Sequence, residues 1–172
     1  MNKVSSRKKI FGGKLINLYF EKRRLPNSYV ASLEIVRHPG AVLIVPFIKR
    51  DEIVLIKQYR PVINSYIWEL PAGTLHKNEN PLSCAKRELV EEIGYVTKRW
   101  KRLGYIYPAP GYTTEKILIF EARGLRKVER KIEKDEIISP EIFSKREIIR
   151  LLRSGKIVDA KTISALSLAR VT

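Results

Sequence analysis

The chain has 172 residues, of which 44% are hydrophobic, so it is long and apolar enough for one domain with a sizeable core and is not a disordered segment. Its 34 Lys and Arg against 18 Asp and Glu give a formal charge of +16, which fits either a small anionic partner or a solvated basic surface. The single cysteine, Cys84, excludes an internal disulfide framework, and no apolar run reaches the length of a membrane span.

The opening "MNKVSSRKKIFGGKLINLYF" has a basic head. Gly12, Gly13, Lys14 and Asn17 interrupt its apolar residues, so no signal peptide is expected and the chain is placed in the cytoplasm. "GKLINLYFEKRR" and "SYVASLEIVR" read as strands separated by the turn "RRLPNS". "AVLIVPFI", Ala41–Ile48, is nearly continuous in apolar residues, as a strand buried on both faces would be. It is followed by "IVLIKQY", Ile53–Tyr59, and the two are expected to pair as a hairpin. A loop ending in "WELPAG" is expected next.

The clearest helix starts at Asn80 as N-cap with Pro81 at its first position, and Gly94 ends it. Leu82, Ala85, Leu89 and Ile93 share its apolar face. Strands follow in "YVTKRWKRLGYIY" and "KILIFEA", joined by the loop "PAPGYTTE". Ser144 and Glu147 form a capping box for "REIIRLLRSG", and Asp159 caps a last helix through "AKTISALSLA". The basic clusters "KRWKR" and "RGLRKVERKIEK" are interleaved with residues of structural type, which weighs against a dedicated nucleic-acid surface. The order of elements predicts a mixed sheet packed between helices.

Glu88, Glu91 and Glu92 project from one side of the first helix, about a quarter-turn from its apolar stripe. Like charges at these spacings repel, so they need a reason: a solvated acidic face, or a hard divalent cation that neutralises them. Arg87 stands four residues before Glu91 and can pair with it.

The wider spacing bears on the choice. Gly73, five residues, Glu79, seven residues and then "RELVEEIGY" fit the pattern G-x5-E-x7-R-E-U-x-E-E-x-G-U, with U apolar. Only Tyr95, at the last apolar position, departs from it. The segment resembles the box of the Nudix hydrolases, which cleave nucleoside diphosphates linked to a further group. "HPGAVLIVPF", "IKQYRP", "WELPAG", "APGYTTE" with Pro110, and "SGKIVDAKTISAL" are similar to segments of the ADP-ribose pyrophosphatase subgroup.

The resemblance implies an α/β fold, a Nudix-type α/β/α sandwich with a mixed sheet, preceded by N-terminal antiparallel strands. Residues 1–37 would form a strand region serving dimerisation or substrate binding, and 38–172 the Nudix hydrolase domain. It also implies a cofactor, Mg2+, for which Mn2+ can substitute. The metal set would be Glu88, Glu92 and the backbone carbonyl of Ala72. The catalytic set would be Glu136, Glu91 and Arg87, with Glu79 paired to Arg87. Glu136 is chosen as the base in "IEKDEII" because it precedes Ile137 and Ile138; Glu133 and Asp135 are the alternatives. Arg60, Glu69, Glu115 and Tyr29 would bind substrate: Arg60 the phosphates, the two acids ribose hydroxyls or the loop, and Tyr29 the adenine. The implied reaction is hydrolysis of ADP-ribose to AMP and ribose 5-phosphate by a homodimer. Another nucleoside diphosphate derivative (a nucleotide sugar, dinucleoside polyphosphate or capped RNA) stays open as substrate, as does a non-catalytic nucleotide- or RNA-binding role. No membrane partner is implied.

Overall fold

The computed structural model describes residues 4–130 and 137–172. Its backbone divides into two compact units, Met1–Gly40 with Tyr107–Lys116, and Ala41–Ile106 with Ile117–Thr172.

The first unit contains a three-stranded antiparallel sheet of β1 (Val4–Gly12), β2 (Asn17–Arg24) and β3 (Val30–Arg37). The basic opening of the chain is therefore a strand, missed in the sequence because Arg7, Lys8 and Lys9 stand together at its centre. Gly12 and Gly13 turn the chain back, with the Gly13 N–H donating to the Ile16 carbonyl at 2.9 Å. The "PAPGYTTE" loop runs beside the end of β3: Val36 N–H donates to the Tyr112 carbonyl, and Thr114 N–H to the Val36 carbonyl.

The second unit is built on a seven-stranded mixed sheet. Its main order is β12 (Ile138–Ser144), β5 (Glu52–Arg60), β4 (Ala41–Phe47), β10 (Ile117–Arg123) and β9 (Arg99–Ile106). β4 and β10 run parallel; the other pairs are antiparallel. β10 lies along one edge of β4, so β5 and β7 (Ala72–Thr74) must share the other edge. β5 likewise carries β12 on one edge and, on the other, β4 near Ile53 and β6 (Ser65–Glu69) from Ile56 onward. β4 and β5 thus form the expected hairpin but splay apart, and the β6–β7 segment fills the gap. "WELPAG" is not the expected loop. It was hidden because β6 follows β5 through a tight 3-10 turn, Pro61–Ile63, closed by Asn64 at φ 49°. A further pair of short strands, β8 (Tyr95–Val96) and β11 (Arg126–Lys127), breaks the expected "YVTKRWKRLGYIY" strand in two.

Strand alternation sorts the core into two layers. Leu43, Val45, Phe47, Ile53 and Leu55 face Ile148 of α2 (Lys145–Arg153) and Ala165 and Leu166 of α3 (Ala160–Leu168). Val42, Ile44, Val54 and Ile56 face Cys84, Ala85, Leu89 and Ile93 of α1 (Pro81–Ile93). The result is an α/β/α sandwich. The caps are those read from the sequence: Asn80 accepts from Leu82 N–H, Gly94 closes α1 at φ 71°, Ser144 and Glu147 form a reciprocal box, and Asp159 accepts from Thr162 N–H. β12 contains Pro140, which lacks a donor, and it occupies the sheet edge, where that loss is tolerated. Among the described residues no helix is long and apolar enough to cross a membrane.

In the first unit one carboxylate organises one face of the sheet. The register places Tyr19, Glu21, Arg7 and Arg37 on a common side. Glu21 is fully buried and accepts from Arg7 Nε at 2.7 Å, Arg23 Nε at 2.8 Å and Arg37 Nη2 at 2.8 Å. Burial alone would raise its pKa, but hydrogen bonds and charge from Arg37 and Arg23 outweigh burial and hold it at about 2. A depressed carboxylate pKa stabilises the fold fully above its ordinary value of 4.5 and ceases to do so as pH falls through about 2. Chemical denaturation of wild type and Glu21→Gln across that range should give a stability difference that is largest near neutrality and shrinks on acidification. A pH-independent difference would remove the electrostatic assignment.

Candidate active site

The acidic helix is held against the strand that precedes it by a glycine with no room for a side chain. A Cβ built on Gly73 would lie 1.7 Å from Glu88 Oε1 and 2.0 Å from Glu88 Cδ. Gly73 thus leaves the space that the Glu88 side chain fills, and a Cβ there would displace that side chain. Glu88 and Glu92 are both buried, at 7% and 2% exposure, whereas Glu91 is intermediate. The sequence placed all three on one side of the helix, beside its apolar stripe. The structure buries two of them against the Ala72–Thr74 strand, where Glu92 accepts from the Ala72 N–H and Glu88 fills the space beside Gly73.

Arg87 binds the group together. Its Nη1 donates to Glu88 Oε1 at 2.6 Å and to Glu91 Oε2 at 2.9 Å. On the other side Nε and Nη2 grip Glu79 at 3.1 and 3.2 Å, and Nη2 reaches the Thr74 carbonyl at 3.4 Å. A guanidinium suits this task because its five N–H groups are spread in one plane. Burial alone would lower the Arg87 pKa, but Glu79, Glu88 and Glu91 outweigh it and keep the group firmly charged. Glu79 is held at about 2, first by Arg87 and, against burial, also by the His76 N–H at 2.9 Å. One cation therefore ties the loop acid to two acids of the helix.

Cys84 lies beneath this hub. Its Sγ is 3.7 Å from the Thr74 carbonyl, and Arg87 Nη2 donates to it at 3.3 Å. Burial is the main cause that pushes its thiol up to about 12, so it stays protonated and is not a nucleophile at neutral pH.

A second cluster borders the first. The Ala72 N–H donates to Glu92 Oε2 at 2.8 Å, tying β7 to α1. Three residues earlier, Glu69 is buried to 1% exposure and accepts both Nε and Nη2 of Arg60. Burial would lower the Arg60 pKa, but Glu69 outweighs it and Glu92 and Asp159 add to the effect, so the net shift is upward. The sequence reading missed two members of this cluster. Lys161 Nζ lies 3.0 Å from Glu69 Oε1, and Thr162 Oγ1 accepts from the Leu70 N–H at 2.8 Å. "DAKT" signalled only a helix cap, since nothing in its spacing reveals which strand the turn meets.

Three candidates remain. Tyr29 is 66% exposed, just before β3, and its carbonyl accepts from Leu25 N–H. Glu115 sits 3.8 Å from His38 Nδ1. Both belong to the first unit. Glu136, with the alternatives Glu133 and Asp135, lies outside the described residues.

Residues 37–166 match the NUDIX domain family. This chain belongs to the Nudix family. It is 36% identical over 95% of its length to an ADP-ribose pyrophosphatase of Bacillus subtilis (strain 168), covering 90% of that protein. It is 34% identical over the same share to a methanol dehydrogenase activator of Bacillus methanolicus, again covering 90% of it. A solved structure described as an ADP compounds hydrolase superposes with a TM-score of 0.84 at 24% identity, over 98% of this chain and 92% of that one, which establishes the fold.

Nudix hydrolases are in general dependent on a divalent metal. The residues of this Nudix chain fit such an ion in chemistry: Glu88, Glu91 and Glu92 supply hard oxygen donors on one helix, the Ala72 carbonyl is adjacent, and Gly73 leaves the space between them. Among the described residues no three His, Cys, Asp or Glu side chains are already arranged as a cage. Arg87 engages Glu88 and Glu91, and the Ala72 N–H engages Glu92. Gly73→Ala should force Glu88 off its position. Metal affinity measured by calorimetry should drop by about tenfold to 100-fold, as for loss of ligand orientation, with circular dichroism unchanged. Wild-type affinity would show that the cradle is not needed.

Proposed function

We propose that this chain hydrolyses the pyrophosphate bond of ADP-ribose to give AMP and ribose 5-phosphate, with Mg2+ as cofactor and Mn2+ able to replace it. The observation that carries the reading is the convergence of Glu88, Glu92 and the Ala72 backbone around Gly73, with Arg60 held on Glu69 in the adjoining cluster. Similarity to ADP-ribose pyrophosphatases from Bacillus subtilis and, at 37% over 119 residues, from Mycobacterium tuberculosis (strain ATCC 25618 / H37Rv) supports the choice of substrate.

In this reading Glu88, Glu92 and the Ala72 carbonyl would hold the metal, and Glu91 would complete the acidic support. When bound, a divalent ion offsets phosphate charge and makes water a better nucleophile. Arg87 and Glu79 keep the helix and its loop in register. Arg60 binds the substrate phosphates through the guanidinium edge left by its pairing with Glu69. Glu136 accepts the proton of the attacking water. Tyr29 stacks on the adenine, and Glu115 takes ribose hydroxyls. Residues 1–37 act as a dimerisation and substrate arm, residues 38–172 as the catalytic domain, and the protein works as a homodimer in the cytoplasm.

A second reading keeps the chemistry and changes the substrate to another nucleoside diphosphate derivative. It is favoured by the similarity, at 32% over 83% of this chain, to a CMP-phosphonate hydrolase of Streptomyces rubellomurinus (strain ATCC 31215). A panel of ADP-ribose, nucleotide sugars, dinucleoside polyphosphates and capped RNA, resolved by chromatography with and without Mg2+, separates the two. ADP-ribose should lead, and only with metal. A rank far below the others would overturn the substrate.

Glu92→Gln isolates the metal assignment. The glutamine oxygen still accepts from the Ala72 N–H, so the fold should persist, while turnover should fall about 100-fold or more with the lost charge. Full activity in that variant would remove Glu92 from the metal set.

A further inference from the structure

Arg60 cannot present a full positive charge to a substrate while it grips Glu69. The Glu69 carboxylate is 1% exposed and takes two N–H groups from Arg60. An isolated pair of this kind is neutral, and a phosphate approaching it would feel little attraction. Lys161 changes that balance. Its ammonium is 18% exposed and lies 3.0 Å from the same Glu69 oxygen that accepts Arg60 Nε. Glu69 is therefore shared between two cations. Lys161 is in turn shared with Asp159, whose Oδ1 lies 2.9 Å away while its Oδ2 caps the helix at Thr162 N–H. Two cations and two anions form one chain of contacts, Arg60, Glu69, Lys161 and Asp159, anchored by Thr162 Oγ1 on the Leu70 N–H.

We infer that Lys161 is a positioning residue that sets, through Glu69, how much positive charge Arg60 offers to the phosphates of a bound substrate. Lys161 draws on Glu69, which leaves Arg60 less fully neutralised; Asp159 moderates Lys161. The inference rests on the reading of Arg60 as a phosphate contact. It assigns to the first turn of α3 an electrostatic task that its cap alone does not require.

The geometry gives substitutions of opposite sign. Lys161→Met removes a cation from the chain of contacts and should weaken binding of a pyrophosphate. Asp159→Asn keeps the cap, since asparagine serves as well as aspartate at that position, but removes an anion and should tighten binding. A purely structural role predicts no tightening in either variant.

The probe is the α,β-methylene analogue of ADP-ribose, which cannot be hydrolysed at the bridging position. Binding is measured by calorimetry on the full chain with Mg2+ present. One unit charge at this range, partly screened, corresponds to about a tenfold change in affinity. Lys161→Met should raise Kd about tenfold, Lys161→Arg should restore it to near wild type, and Asp159→Asn should lower it severalfold. If Lys161→Met does not fold, Asp159→Asn carries the test, and unchanged or weaker binding there overturns the inference. Arg60→Gln is the control. Weak binding in Arg60→Gln with wild-type binding in the Lys161 and Asp159 variants overturns the inference alone. Wild-type binding in Arg60→Gln overturns the reading of Arg60 and takes the inference with it.

Discussion

The second unit depends on a guanidinium placed among carboxylates that would otherwise repel one another. Arg87 holds Glu79 from the loop and Glu88 and Glu91 from the helix. Without that cation, the buried Glu88 next to Gly73 would lose the charge partner it has at 2.6 Å, a costly change. With it, the acids face one strand end at a fixed spacing. The same arginine reaches the Thr74 carbonyl and Cys84, so its position also fixes the path of the loop.

That loop can be held there because β4 and β5 splay. Each strand gives up part of one edge, and the β6–β7 segment takes it. The segment is gripped from both layers of helices. Glu92 of α1 takes the Ala72 N–H, and Thr162 of α3 takes the Leu70 N–H. Within three residues the backbone is thus tied to opposite sides of the sandwich. Between those ties lies Pro71, which has no N–H to satisfy and whose carbonyl accepts from Ile44 N–H. A backbone fixed in this way offers a carbonyl at a constant position, which is what a metal-binding or phosphate-binding edge requires.

Much of this was legible in local sequence. Helix caps are short-range contacts, so Asn80, Gly94, Ser144 with Glu147, and Asp159 identified their helices correctly. The apolar run Ala41–Ile48 identified the doubly buried central strand. What local pattern concealed were elements made by pairing alone. β1 is centred on Arg7, Lys8 and Lys9, and its strand character comes from pairing with β2. β12 carries a proline, and β6 hides behind a turn. In each case the stabilising hydrogen bonds go to residues distant in the chain, or the local composition argues the other way.

For the site, the sequence by itself determined which acids share a helix face, which arginine stands a turn away, and where a glycine must precede them. Spacing along a helix is a property of the chain, and the box pattern is made of such spacings. Only the tertiary structure decided that Glu88 and Glu92 are buried, that Arg87 bonds three carboxylates at once, and that Lys161 and Thr162 meet the β6–β7 segment at Glu69 and Leu70. The physical reason is range. Residues 69 and 161 meet because two helical layers close on one sheet, and no periodicity within either segment encodes the partner it will find.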